Sequence, residues 1–391
     1  MNCAIIGGGA AGFFLAINLK EMAPTIDVTI FERSKRVLAK VAVSGGGRCN
    51  CTNTFDDISD LQQAYPRGHR LLKRLFRTFN QHDAYQWFEH HGVPLVTQAD
   101  NCVFPRSQDA QTIINMFTAE ARRHNVNVLT GTAIHSLDEL RDYDFIVVTT
   151  GGQPKADGLA WLQQPIVEPV PSLFTFSIDD DRLHQLMGTV VTTATAMLPG
   201  TKLRATGPLL ITHWGMSGPC ILRLSSYGAR LLHDGNYQHP LAINWTGWTE
   251  DETRCWLKDA ITNHPQRQLP TIHPPSLNSR LWNYLTTKSI GDGRQHAPYG
   301  SLNKKEQNRI VATLTADTFS ISGRAPFKDE FVTCGGIDLQ AVDPATLESR
   351  SHPNLFFAGE VLDIDGITGG FNFQAAWTTA YTVAKAIAAK A

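Results

Sequence analysis

Cys3-Ala4-Ile5-Ile6-Gly7-Gly8-Gly9-Ala10-Ala11-Gly12 opens the chain and decides its fold. The apolar run Cys3 to Ile6 reads as a buried parallel strand. The glycines satisfy G-x-G-x-x-G, and Phe13, Phe14, Ala16, Ile17 and Leu19 continue at helical spacing until Pro24. Val28 to Phe31 is a second strand, and Glu32 stands at its end, 20 residues past Gly12. Each part has a physical task. Gly7 permits a tight turn, Gly9 lets backbone approach a pyrophosphate, and Gly12, next to Ala11, lets the helix pack on the strand. The helix N-terminus offers N–H groups and partial positive charge to a diphosphate. Glu32, followed by Arg33, can accept hydrogen bonds from both ribose hydroxyls and would repel a 2′-phosphate. The site therefore favours FAD or NAD over NADP. The plainer alternative is a glycine-rich turn in an ordinary α/β domain.

Lys40 and the run Ser44-Gly45-Gly46-Gly47-Arg48-Cys49-Asn50-Cys51-Thr52-Asn53 choose between the dinucleotides. A nicotinamide dehydrogenase needs no second glycine loop here. FAD is longer, and its diphosphate and flavin need further cradling. Gly46 and Gly47 allow close backbone approach, Arg48 can pair with a phosphate or the flavin's polar edge, and Asn50 can donate and accept. A turn with a surface arginine is the competing reading.

GGGAAG at 7–12, SGGGRCNCTN at 44–53 and GEVLDIDGITGGFN at 359–372 together resemble the BaiN/YhiN-type flavoproteins, which include aminoacetone oxidase-like enzymes and reductases of bile-acid dehydro-intermediates. The likeness runs along the whole chain, with its specific motifs at the two ends. It implies a glutathione-reductase-type, Rossmann-like FAD domain. It also implies a backbone contact from Ile134 to the adenine and a cofactor-facing turn at Thr150-Gly151-Gly152. The stretch Thr212 to Pro219 resembles another family segment, read either as a turn or as placing His213 as a proton donor.

The chain ends as it begins, in strand, glycine loop and helix. Asn354 to Ala358 is a parallel strand, followed by Gly359-Glu360, Asp363, Gly369-Gly370-Phe371-Asn372 and a helix from about Phe373 to Ala389. N–H groups at that helix start can stabilise negative charge on the reduced flavin's N1–C2=O edge, and Asp363 can bond the ribityl chain or the phosphate side. The two ends of the sequence would then build one site.

Between them, residues 68–92 and 109–124 read as helices, and 126–129, 132–137 and 144–150 as strands. Pro165, Pro169 and Pro171 suggest a domain exit, and Phe331 to Ile337 is a returning strand. The expected organisation is α/β. A discontinuous FAD domain (1–168 and 328–391) carries a β-rich, barrel-like substrate module (169–248 and 316–327) and a small helical module (249–315).

The chain has 391 residues, enough for two or three domains at roughly 150 residues each. With 35 Lys+Arg against 36 Asp+Glu the net charge is -1, which gives no electrostatic case for nucleic acid or an anionic membrane. Residues 250–310 hold nine Lys/Arg and six Asp/Glu, too small an excess to change that. Seven scattered cysteines suggest reduced thiols. His90-His91 lacks the partners of a metal site. No signal peptide and no spanning apolar run is read. The expectation is a soluble, cytoplasmic FAD-dependent oxidoreductase acting on a small molecule by hydride transfer through flavin N5. The chemistry belongs to the cofactor, so no catalytic side chain is assigned. As a reductase it would take electrons from NADH or NADPH bound transiently. The alternatives are an amine oxidase-type flavoenzyme using dioxygen, and a structural-FAD protein with a macromolecular partner.

Overall fold

The computed structural model describes residues 1–325 and 332–391. Phe331, assigned above to a returning strand, and the expected boundary at 327/328 lie outside the described residues. The chain divides into two compact units, Met1–Ser172 with Lys328–Ala391, and Leu173–Phe327.

The first unit is built on a five-stranded parallel sheet. Its order is Leu355–Phe357, Phe145–Val148, Asn2–Ile6, Asp27–Glu32, Asn127–Thr130. The first strand lies at the centre, with Ile6 opposite both Phe31 and Val148. It is fully buried from Cys3 to Ile5, as a strand covered on both faces must be. The N-terminal helix Ala10–Met22 and the C-terminal helix Phe371–Ala388 pack against each other on this sheet. Both are apolar nearly all round, which suits helices with little solvent-facing surface. Phe14 meets Trp377 at 5.1 Å between ring centroids. A small antiparallel sheet of Thr52–Asn53, Cys102–Pro105 and Leu95–Thr97 flanks this core.

The second unit carries a seven-stranded antiparallel sheet. Its two edge strands, Asp317–Ile321 and Gly323–Arg324, are separated in sequence by Ser322 alone. One residue cannot cross a flat seven-stranded sheet, so the sheet curls until its edges approach, which agrees with the barrel-like expectation. The helices Glu250–Asn263, Ser279–Ile290 and Lys304–Ala316 belong to the same unit.

Several local expectations are corrected. Residues 68–92 form two helices, His69–Leu75 and Gln81–His90. The second starts afresh because Asn80 and Asp83 form a capping box. Residues 132–136 are not a strand: a Ser136–Glu139 capping box starts a short 3-10 turn there. Pro169 and Pro171 lie in the strand Ile166–Ser172, which among the described residues pairs only with Val332–Ile337, where a missing N–H is tolerated, and the chain passes to the second unit directly after it. The span 169–248, expected to be β-rich, also contains the helix Pro219–Tyr227. The helix Ser279–Ile290, started by an Asn278 cap, follows the Pro-containing region of 265–275.

The C-terminal ends of Gln81–His90 and Ala110–Arg123 are capped by His91 and His124. His91 Nδ1 lies 2.7 Å from the Trp87 carbonyl and Nε2 lies 3.0 Å from Glu21 Oε1. Both neighbours are acceptors, so the protonated ring can donate from both nitrogens. Burial acts to lower the His91 pKa, but Glu21 and the Trp87 carbonyl outweigh it and hold it above its ordinary value. The bond from His91 holds the Glu21 carboxyl below its ordinary range. A raised histidine stabilises fully below about 6.5, and the gain is lost as pH rises through the higher folded value. A lowered glutamate stabilises fully above about 4.3 and loses the gain as pH falls through the lower folded value. We expect the pair's contribution to be greatest between those limits. His91→Gln should flatten the decline in melting temperature above pH ~6.5; an unaltered alkaline slope would refute this.

Candidate functional site

The strands of the parallel sheet all end on one edge, at Ile6, Glu32, Thr130, Val148 and Phe357. The chain stays in register just beyond it: Gly7 N–H donates to the Phe31 carbonyl (2.8 Å), Thr149 N–H to Ile6 (2.8 Å) and Ala358 N–H to Val148 (3.1 Å). Gly7, Glu32, Thr150, Gly151 and Gly359 are therefore neighbours although they come from four separate stretches. In open parallel sheets this carboxyl edge is where ligands bind.

The three glycines of the first turn have different surroundings. A Cβ on Gly7 would strike the Thr149 carbonyl, and one on Gly12 would strike the Gly7 carbonyl. Those two serve the chain's own packing. A Cβ on Gly9 would meet nothing within 4 Å. Nothing inside the protein requires Gly9 to lack a side chain, so its requirement is for a group approaching from outside. Ala11 is small for a further reason: a Cβ on Gly359 would lie 2.9 Å from its methyl.

The N-terminal and C-terminal helices, with Gly9 and Gly370 at their N-caps, have no side-chain cap and no acid in the first turn. The helices starting at Gln81, Glu250 and Lys304 each carry a full capping box. Uncapped N–H groups at the two glycine loops are free to hold an anion. Thr150 Oγ1 is buried with no hydrogen-bond partner among the described residues. Such a group calls for an outside partner.

Glu32 is pinned by backbone. Oε2 accepts from Gly8 N–H (2.8 Å) and Oε1 from Ser34 N–H (2.7 Å). Each oxygen keeps a lone pair for a ribose hydroxyl. Arg33 is exposed. Ile134 is half-buried, two residues beyond Thr132, whose N–H donates to the Glu32 carbonyl. Lys40 pairs with Glu360 at 2.7 Å, and Glu360 also accepts from Thr333 N–H (2.9 Å). A Cβ on Gly152 would press into Thr333 and Glu360. Lys40, Gly152 and Glu360 are thus brought together.

Helix Ala39–Gly47 unwinds at Ser44, whose hydroxyl donates to the Val41 carbonyl (2.9 Å). Space beside Gly46 is open, and Gly47 has only the Ala42 carbonyl at 4.0 Å. Arg48 is anchored within the chain. Its Nε donates to the Gly45 carbonyl (3.0 Å) and Nη1 to Gln108 Oε1 (3.4 Å), and its guanidinium lies 4.2 Å from the Phe104 ring centroid. Asn50, its amide oriented to satisfy both sides, donates to the carbonyls of Thr52 (2.8 Å) and Val103 (3.2 Å) and accepts from Gly370 N–H (3.1 Å). Asn372 closes its own loop: Oδ1 accepts from Gly366 N–H (2.8 Å) and Nδ2 donates to the Gly366 carbonyl (2.9 Å). The Phe371 ring is buried at 4.9 Å from Phe55, and its carbonyl accepts from Tyr65. Asp363 N–H donates to Ile337 at 3.0 Å. Gly369 accepts from Asn53 Nδ2 at 3.0 Å.

Sequence reasoning passed over Thr52, Gln374, Trp377, Arg67 and Asp365. Thr52 Oγ1 donates to Gln374 Oε1 (2.6 Å) and Trp377 Nε1 to the Cys51 carbonyl (2.8 Å). Arg67 grips Asp365 with both Nε and Nη2. Thr52 and Asp365 lie inside motifs but were given no role there, the other three lie outside any motif, and only the folded chain pairs them.

The family model for the HI0933-like protein Rossmann domain matches residues 1–386. The chain belongs to this family. It is similar to the 3-dehydro-bile acid delta(4,6)-reductase of Clostridium scindens, 26% identical over 98% of both chains. It is also similar to the ribosomal RNA dihydrouridine synthase of Escherichia coli, 28% identical over 100% of this chain and 98% of the relative. Among solved structures, the 3-ketosteroid delta1-dehydrogenase of Sterolibacterium denitrificans shares the fold across the whole chain, with TM-score 0.51 at 10% identity. The family resemblance read in the sequence is borne out, and the HI0933-like chain is an FAD-dependent oxidoreductase. The open space at Gly9 and Gly46, the two uncapped helix starts and the orphaned Thr150 hydroxyl fit FAD. All seven cysteines are free thiols. No helix among the described residues is long and apolar enough to cross a membrane.

The two kinds of glycine separate experimentally. Gly9→Val should purify colourless yet melt near flavin-stripped wild type, whereas Gly12→Val should melt well below it. A Gly9→Val protein retaining stoichiometric flavin absorbance would contradict the cradle. Asn50→Ala strands the Gly370 N–H and two carbonyls, so urea unfolding should show a loss of about 1–3 kcal/mol. A loss near zero would mean that Asn50 does not join the two ends.

Proposed function

We propose that this chain reduces a carbon–carbon double bond conjugated to a carbonyl, with FAD bound along the carboxyl edge of the parallel sheet and NADH or NADPH as electron donor. The observation that carries this is the pair of full-length relatives. One is named for reducing double bonds of a 3-oxo bile acid, the other for converting uridine to dihydrouridine. Both names describe hydride addition to a C=C polarised by a carbonyl, on substrates that otherwise have little in common.

Bound FAD supplies the hydride donor at N5. The chain's part is to position and to tune. Glu32 and the N-terminal helix hold the nucleotide half, and the glycine turns at 46–47 and 151–152 admit the cofactor closely. The N–H groups at the start of Phe371–Ala388 face the electron-rich edge and favour its reduced form. The near-neutral charge favours a small-molecule substrate over RNA, so a polycyclic enone is the first candidate.

Anaerobic mixing with NADH or NADPH should bleach the flavin, and a conjugated enone should restore the colour. The test panel pairs a steroid-type dienone with a uridine-containing ribosomal RNA fragment. Recovery with the RNA alone would reverse the substrate choice, and no bleaching by either donor would sink the reductase reading. Rapid recovery with dioxygen and with neither acceptor would favour an oxidase.

A further inference from the structure

Asp365 is fully buried, and the Arg67 side chain is only 16% exposed. Arg67 grips the carboxylate through two nitrogens, and Ser172 Oγ donates to Oδ2 at 3.0 Å. The backbones meet here as well, in an antiparallel bridge between Arg67 and Asp365. Gly68 is glycine because a Cβ would collide with the Ile364 side chain, at 2.6 Å. From Asp365 the chain needs few residues to reach the start of the C-terminal helix, and that passage is fixed throughout. Ile367 N–H donates to the Ala64 carbonyl (2.8 Å), Gly366 is locked to Asn372, and the Tyr65 hydroxyl donates to the Phe371 carbonyl (2.8 Å).

Burying two charges costs several kcal/mol per ion before their attraction returns it, and an apolar pair of similar volume commonly holds a fold as well. The loop already has five other backbone and side-chain ties. Stability alone therefore gives no reason for a buried ion pair here. Charge does: the Asp365 carboxylate cancels a guanidinium that would otherwise add to the positive end of the helix dipole. Burial pushes the Asp365 carboxyl up, and Arg67 and Ser172 oppose the rise.

We propose that Arg67, Asp365 and Ser172 are positioning residues that set the electrostatic field at the N-terminus of helix Phe371–Ala388, and through it the reduction potential of the flavin. The inference rests on the reading that the flavin's electron-rich edge lies at that N-terminus. Asp365 keeps the site from holding reduced flavin too firmly, which would slow hydride delivery to substrate.

The test is the midpoint potential of FAD-loaded wild type, Asp365→Asn and Ser172→Ala by spectroelectrochemical titration, with FAD stoichiometry and melting temperature alongside. Asp365→Asn keeps the shape and removes the charge of the carboxylate that Arg67 grips. It should favour reduced flavin by at least tenfold, a positive shift of about 30 mV for a two-electron couple. Ser172→Ala should shift the same way by less, and it decides alone if Asp365→Asn does not fold. Full FAD loading with an unmoved or more negative potential overturns the proposal while the FAD reading stands, and a lowered melting temperature alone would assign the trio to stability. Wild-type protein that takes up no FAD brings down both.

Discussion

The fold depends on a short stretch near the start of the chain being sewn to a helix at its end. Cys51, Thr52, Asn53 and Asn50 supply a carbonyl, a hydroxyl and two amides to Trp377, Gln374, Gly369 and Gly370. These groups are mostly buried, where an unpaired backbone or amide group costs as much as the bond it lacks. The partners sit more than 300 residues apart, so the closure entropy is met only once the N-terminal and C-terminal helices have packed together. The Phe14–Trp377 contact belongs to that packing. The hydrogen bonds then fix its register. Hydrophobic burial brings the ends together, and the polar stitches choose one arrangement among those that burial permits.

That arrangement sorts the polar groups of the first unit into two classes. One class is complete within the protein: Arg48 on Gly45, Gln108 and Phe104, Asn372 on Gly366, and Lys40 on Glu360. The other class has no internal answer: the space beside Gly9 and Gly46, the hydroxyl of Thr150 and the uncapped starts of two helices. The first class gives the loops their shape, and the second fits a bound ligand.

The sequence made the central sheet legible because a parallel strand, a glycine turn and an apolar helix each leave a distinct local pattern, repeated at the far end. What it hid falls into two kinds. Direction is one: the sequence shows that Arg48, Asn50 and Asn372 have groups able to meet a cofactor, but not that each also bonds to nearby or distant backbone. Partnership is the other: Arg67 lies outside any motif, Asp365 sits in one that gives no sign of its partner, and their bond spans 298 residues. Local competition explains the rest. A capping box at Ser136 ended a strand-like run, and prolines at 169 and 171 did not prevent a strand that, among the described residues, pairs along one edge only.

Every residue assigned to the cofactor lies in the first unit, while Leu173–Phe327 contributes none. This separation has a chemical consequence. Hydride addition to an activated double bond needs a reduced flavin of suitable potential and a polarised acceptor, and only the first requirement is common to all substrates. On the reading proposed above, the first unit would meet it with fixed backbone N–H groups and one buried ion pair, independently of what the acceptor is. A family built this way can keep one electron-transfer frame while substrate recognition changes elsewhere in the chain. That accounts for relatives named for a bile acid and for ribosomal RNA matching this chain end to end at nearly the same identity.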